Sequence, residues 1–194
     1  MSSRRRIAAA LSLAAGVLFP TCVVATEESG SFSMVRVQVQ DYTAFDHAGG
    51  SVFGGALEGT STILESNGGP FVEDEHSVST CVAYGKRGPA GMDLEVPCAT
   101  TDASGDRLDS LSKRVTGGVE AGGGGEGRME LLGGTGKYAG ITGSCSYEVG
   151  YPAGKWLVLM ADCIWRRHPE PSDKLKPVPA LFRLLAGGLA AAGL

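Results

Sequence analysis

The stretch Gly133–Gly143, GGTGKYAGITG, decides how this chain is predicted to fold. Its glycines match parts of two nucleotide-binding patterns, and both patterns fail on the neighbouring residues. A P-loop needs glycine five positions before the Gly of its Gly-Lys pair, where Leu131 stands, and serine or threonine directly after that pair, where Tyr138 stands. A dinucleotide-binding loop leads into a helix, whereas Ile141–Val149 alternates β-branched or aromatic residues with small polar ones. The stretch is therefore predicted to be a glycine-rich corner between two strands.

Short strands separated by turns extend in both directions from this corner. Met34–Tyr42 shows the alternation clearly, with Val35 and Val37 on one face and Arg36 and Gln38 on the other. Between the strands, Gly117–Gly127 is predicted to be a flexible loop because it offers little to bury. Short strands without intervening helices predict an all-β, antiparallel sandwich or barrel. Eight strands are predicted to begin near Met34, Ser51, Glu75, Met92, Arg107, Arg128, Ile141 and Lys155.

Two turn signals lie midway between cysteines. Gly88-Pro89-Ala90-Gly91 separates one cysteine pair, and Tyr151–Lys155 separates the other. If each turn closes a hairpin, the two cysteines of each pair lie opposite each other on paired strands. The predicted disulfides therefore join Cys81 to Cys98 and Cys145 to Cys163. Free buried thiols are the alternative.

No metal site is predicted. The cysteines have no C-x-x-C or Cys/His spacing, and the three histidines belong to no metal motif. Asp102, Asp106 and Asp109 lack the ligand number and spacing of a calcium loop. No cofactor is predicted either.

Both ends of the chain differ from the strand-rich middle. Residues 1–25 have the form of a signal peptide, with Arg4-Arg5-Arg6 before an apolar run and a small-residue cleavage site at Val23-Val24-Ala25. The sequence thus predicts an exported protein, periplasmic or extracellular, with a β-barrel domain over 26–167. Residues 168–179 form a proline-rich linker, and 180–194 an apolar tail whose charge-free part is too short to span a bilayer.

The charge of the chain disfavours nucleic-acid partners. The full sequence has 17 basic and 21 acidic residues, a net charge of −4. Cleavage after residue 25 would remove Arg4, Arg5 and Arg6 and make the balance more acidic, at −7. An acidic protein without a basic patch is poorly suited to nucleic acid or an anionic membrane.

The corner also carries a family resemblance. Gly133–Gly143 resembles the GGTG-[KR]-[FY]-x-x-x-x-G segment of allene oxide cyclases and plant dirigent proteins, and is most similar to exported bacterial proteins with an allene-oxide-cyclase-like barrel. The resemblance implies an eight-stranded antiparallel β-barrel, often oligomeric, with an apolar cavity. It transfers no active-site residue, because the functional residues of those families lie outside this segment.

Three functions follow as hypotheses. The first is a non-enzymatic exported barrel that binds a small apolar ligand or a protein partner, with a homo-oligomer as one such assembly. The second is an allene-oxide-cyclase-like isomerase acting on an oxygenated lipid, with Glu75 and His76 as its catalytic candidates. The third is a structural, envelope-associated protein. Aromatic residues that could line a cavity, or simply fill the barrel, are Tyr84, Tyr147, Trp156 and Trp165.

Overall fold

The computed structural model describes residues 28–168. The predicted signal peptide (1–25), the predicted linker beyond residue 168 and the predicted tail (180–194) lie outside these described residues. Within them, no helix is long and apolar enough to cross a membrane.

Eight strands form one closed antiparallel barrel, as predicted. Each strand pairs with the next along the chain, and the last strand pairs with the first, where Glu28 lies opposite Arg167. One short 3₁₀ turn, Gly136–Tyr138, lies between the sixth and seventh strands. The strands are β1 (Glu28–His47), β2 (Gly50–Ser66), β3 (His76–Gly88), β4 (Gly91–Asp102), β5 (Arg107–Gly117), β6 (Gly124–Gly134), β7 (Ile141–Gly150) and β8 (Trp156–Arg167).

Three of the strands, β1, β5 and β6, extend further than their sequence indicates. β1 begins at Glu28, six residues before the predicted start, because its ladder to β8 continues through small polar residues. The predicted flexible loop over Gly117–Gly127 is wrong at both ends, since Gly117 pairs with Gly125 and the β5–β6 connection is only 118–123. Main-chain hydrogen bonds form without side chains, so a glycine-rich segment can be a strand. Such a segment lacks the alternation of side chains by which strands are recognised in a sequence.

The two predicted disulfides are confirmed. Cys81 is bonded to Cys98 across the β3–β4 hairpin, and Cys145 to Cys163 across the β7–β8 hairpin. In each case the cysteines are direct register partners. All four side chains are buried and belong to the core that fills the barrel.

The two ends of the lumen differ. At the plug end, where β1 begins and β8 ends, Phe71 from the β2–β3 connection stacks on Phe32 with ring centroids 3.8 Å apart. Tyr138 and Trp165 lie within 6 Å of the same ring. These four buried aromatics close the plug end. We call the opposite end, where β5 and β7 end, the cavity end.

Candidate ligand site in the barrel lumen

The GGTG corner is held by carboxylates at the plug end. Asp106 accepts a hydrogen bond from the backbone amide of Lys137 at 3.1 Å. Gly136 has a φ of +53°, and a Cβ there would overlap the Asp106 carboxylate. Glycine is required at this position because it alone satisfies both the left-handed backbone and the close approach. The corner is thus a structural element, as the sequence predicts.

Lys137 forms two ion pairs. Its Nζ lies 2.5 Å from Glu75 Oε1 and 2.8 Å from Asp102 Oδ2. Burial alone would raise the pKa of Asp102, but hydrogen bonds from Lys137, Ser104 and the Asp106 amide outweigh it and hold that pKa well below its usual value. Burial likewise opposes the charge of Lys137, yet the two carboxylates raise its pKa. This cluster ties the corner to β4 and to the residue before β3.

The catalytic candidates Glu75 and His76 lie at this plug end. Glu75 is partly buried and engaged by Lys137. His76 is exposed, and its Nδ1 lies 2.9 Å from the hydroxyl of Thr62. Neither side chain borders the lumen cavity described below. Their catalytic role stays a prediction.

The four aromatic candidates divide between the two sides of the wall. Tyr84 and Trp156 lie on the outer surface, 54% and 53% exposed. Tyr147 and Trp165 point inward and are buried. Trp165 belongs to the plug, so among the four only Tyr147 borders the lumen cavity. Gly127 on β6 gives Tyr147 its room, because a Cβ there would overlap the phenol ring.

A small cavity of about 30 Å³ remains in the lumen toward the cavity end. This volume accommodates one or two water molecules. Its aliphatic lining consists of Leu57, Leu94, Val96, Val149, Leu157 and Leu159. Its other main contributors are Arg36, Gln38, Ser112, Arg114, Tyr42, Tyr147 and Tyr151. Burial raises the pKa of all three tyrosines, so they are neutral hydrogen-bonding groups at neutral pH.

One wall of the lumen is polar. Arg36 is only 3% exposed and donates to Ser61 Oγ at 2.8 Å, Thr100 Oγ1 at 3.2 Å and Cys98 Sγ at 3.4 Å. Gln38, also 3% exposed, donates through Nε2 to Ser79 Oγ at 3.1 Å and Cys81 Sγ at 3.2 Å. Burial lowers the pKa of Arg36 to about 10. The wall from β6 to β8, which adjoins β1 at Leu157 and Leu159, is apolar.

Arg114 lies at the mouth of the cavity and connects it to the β5–β6 loop. Its two terminal nitrogens donate to the carbonyl of Gly118 at 3.1 Å and to the hydroxyl of Tyr151 at 2.7 Å. Tyr151 in turn exchanges backbone hydrogen bonds with Gly122 and Gly123. The loop therefore covers the mouth through Arg114 and Tyr151.

Sequence reasoning did not identify this polar wall. The alternation in β1 separates its valines from Arg36 and Gln38, and the usual expectation places valines inside. The structure instead turns Arg36 and Gln38 into the lumen and leaves the valines on the outer wall. The available signal was that Phe32 and Met34, two large apolar residues, share the face of Arg36.

The outer wall carries an apolar strip along β1 and β8. Val35 lies opposite Met160, Val37 opposite Val158 and Val39 opposite Trp156. We call these six residues the β1–β8 strip; Met160 and Trp156 are more than half exposed. A polar depression of about 850 Å³ lies beside it, over Ser33, Ser144 and Asp162, and is open to solvent.

The fold and lumen define the class of structure: a closed, eight-stranded antiparallel barrel with one plugged end. No family model matches the sequence, and no curated protein matches it. Among solved structures, a pterocarpan synthase dirigent protein is similar at 14% identity, with a TM-score of 0.48 over 79% of this chain and 98% of the other. A conserved protein of unknown function from Rhodopseudomonas palustris is similar at 11% identity, with a TM-score of 0.46 over 73% and 99%.

Within the part of the chain that the structure covers, no three His, Cys, Asp or Glu side chains group as metal ligands would.

Proposed function

We propose that this chain is an exported, non-enzymatic β-barrel that binds a small apolar ligand in the cavity end of its lumen. The observation that carries the proposal is the lumen cavity itself, where leucines and valines lie beside three tyrosines and a few inward polar groups. Ligand sites commonly combine an apolar lining with a small number of placed polar groups. The depression on the outer wall is more open to solvent.

Export is supported by two features. The sequence of residues 1–25 has the form of a signal peptide. Two buried disulfides join neighbouring strands, and such bonds persist mainly in oxidising compartments. We place the protein in the periplasm or outside the cell.

The isomerase hypothesis has less support. The residues that border the lumen cavity include no carboxylate and no histidine, the groups most often used for general acid–base catalysis. Glu75, the carboxylate proposed from sequence, is engaged by Lys137 at the other end of the barrel. A binding function therefore fits this cavity better than proton transfer.

Self-association is a further part of the proposal, with a second copy of this chain as the partner. The β1–β8 strip places six apolar side chains together on the outer wall, and contiguous exposed apolar surface favours protein contacts. Light scattering coupled to size exclusion should show an oligomer that Val37→Lys dissociates, while the lumen variant Leu157→Trp leaves it intact. A monomeric wild type would exclude this interface.

The ligand is tested by native mass spectrometry of protein purified from the exported fraction. We expect a bound small molecule that is lost on denaturation. Leu157→Trp should abolish it, because Leu157 is buried against the cavity and a larger side chain fills that space. Met160→Trp, on the outer wall, is the matched control and should retain it. An apo mass for the wild type would contradict ligand binding and favour the structural hypothesis.

A further inference from the structure

The guanidinium of Arg36 is buried without a counter-charge. Its three acceptors are two hydroxyls and a disulfide sulfur, all neutral. No carboxylate of residues 28–168 lies within ion-pair distance of it. A buried unpaired charge is costly, and proteins normally pair such groups or neutralise them. Since an arginine stays protonated at neutral pH, the lumen contains an uncompensated positive charge.

A second arginine reaches the same cavity. Arg114 borders it from β5, and its Nε is buried without a hydrogen-bond partner. The Oγ of Ser110, on the polar wall beside Cys98, is likewise buried and unpartnered. The unpartnered Ser110 hydroxyl therefore lies near the Arg36 guanidinium, which donates to Cys98. The cavity lining contains two arginines and no acidic residue.

Resting on the function proposed above, we propose that the ligand is a small organic carboxylate whose anionic group binds between Arg36 and Arg114. Guanidinium groups match carboxylates in geometry as well as charge. The aliphatic residues Leu157 and Leu159 of β8, which lie beside Gln38 and Arg36 in the register, would contact the apolar body of the ligand. The polar wall thus selects the head group and the apolar wall selects the body.

The size of the cavity constrains the ligand and how it is admitted. A space of about 30 Å³ accepts a carboxylate group but not a long chain. The ligand must therefore be compact, or its body must displace the loop at 118–123. Arg114 holds that loop through the carbonyl of Gly118. A carboxylate that takes over Arg114 would weaken this contact and open the mouth.

The test uses hexanoate, with 1-hexanol and hexylamine as neutral and cationic probes of the same chain length. Affinities are measured by NMR titration of the ligand-free full chain, including the Nε–H resonances of its arginines. Hexanoate should bind about ten- to hundredfold more tightly than hexanol, the range expected for charge-assisted hydrogen bonds. It should also shift the Nε–H signal of Arg36.

The variants separate head-group recognition from lumen binding. Arg36→Gln and Arg114→Gln should each lose most of the preference for hexanoate and keep the binding of hexanol. Lys155→Gln should retain the preference, because Lys155 lies at the same end but its side chain is exposed and pairs with Asp41, outside the mouth loop. The wild-type Nε–H shift tests the inference even if Arg36→Gln does not fold.

Three results would overturn the inference. Equal affinity of the wild type for hexanoate and hexanol would show that the lumen binds a neutral ligand, leaving the proposed function intact. Binding of neither probe, together with an apo mass for the exported protein, would contradict both this inference and the proposed ligand-binding function. A hexanoate preference that Lys155→Gln abolishes would also overturn it, because the anion would then bind at the surface.

Discussion

Replacing Lys137 with methionine should destabilise the barrel by about 3 kcal/mol at neutral pH. Removing one partner of a buried ion pair typically costs about 3–5 kcal/mol. The lower end applies because the Lys137 side chain is 26% exposed and because Asp102 keeps three other hydrogen bonds, from Ser104 and the Asp106 amide. The measurement is the free energy of unfolding from urea titration without reductant.

The difference in stability between the wild type and Lys137→Met should depend on pH. Folding lowers the pKa of Asp102, so its contribution to stability is present above the pKa of an unfolded aspartate, about 3.9, and is lost as the pH falls further. The wild type should therefore lose stability in acid faster than Lys137→Met, and the gap between them should narrow below about pH 4. Asp102→Asn closes a double-mutant cycle that isolates the pair.

Lys155→Met is the matched control for this measurement. Lys155 also pairs with an aspartate at 2.8 Å, but its side chain and that of Asp41 are 67% and 80% exposed. Exposed pairs of this kind contribute about 0–1 kcal/mol. An equal cost for Lys137→Met and Lys155→Met, or a Lys137→Met cost that does not change in acid, would refute the reasoning.

Three further predictions concern stability, each measured by urea unfolding. Replacing Cys145 and Cys163 together with serine should cost about 2–5 kcal/mol, because the unfolded chain loses a cross-link; an unchanged midpoint would contradict this. Gly136→Ala should destabilise the protein more than Gly154→Ala, because Gly154 has a similar φ of +57° but open space around it. Equal effects would mean that only the left-handed backbone of each alanine costs stability, about 1–2 kcal/mol. Phe71→Ala should cost about 3–5 kcal/mol through a cavity in the plug, and a loss below about 1 kcal/mol would mean that the plug does not hold that end.

Local patterns were sufficient to predict the strands and hairpins, and the resemblance carried by Gly133–Gly143 favoured a barrel over a sandwich. Turn signals located the hairpins, and their midpoints between cysteines predicted both disulfides. The residues after Gly140 showed that the corner leads into a strand. These features depend on neighbours in sequence, where side-chain alternation and turn chemistry act directly.

The lumen site and the plug-end cluster around Lys137 depended on contacts that no local pattern reveals. Arg36 meets Thr100, 64 residues away, and Lys137 meets Glu75, 62 residues away. The partners of Arg36 and Lys137 could not be predicted, because they lie on segments that are far apart in sequence, and the closure of the whole barrel decides which side chains meet. The inward turn of Arg36 also contradicts ordinary hydrophobic patterning, and such local violations are expected at functional sites.

The pairing of Glu28 with Arg167 also determines how the barrel can be joined to a tether or a fusion partner. Both boundaries of the described chain emerge side by side at the plug end, and the lumen cavity faces the opposite way. A tether, fusion partner or surface linkage at either boundary would therefore leave the mouth near Arg114 accessible. Joining the two boundaries directly and opening the chain at another hairpin should likewise preserve the eight-stranded ladder.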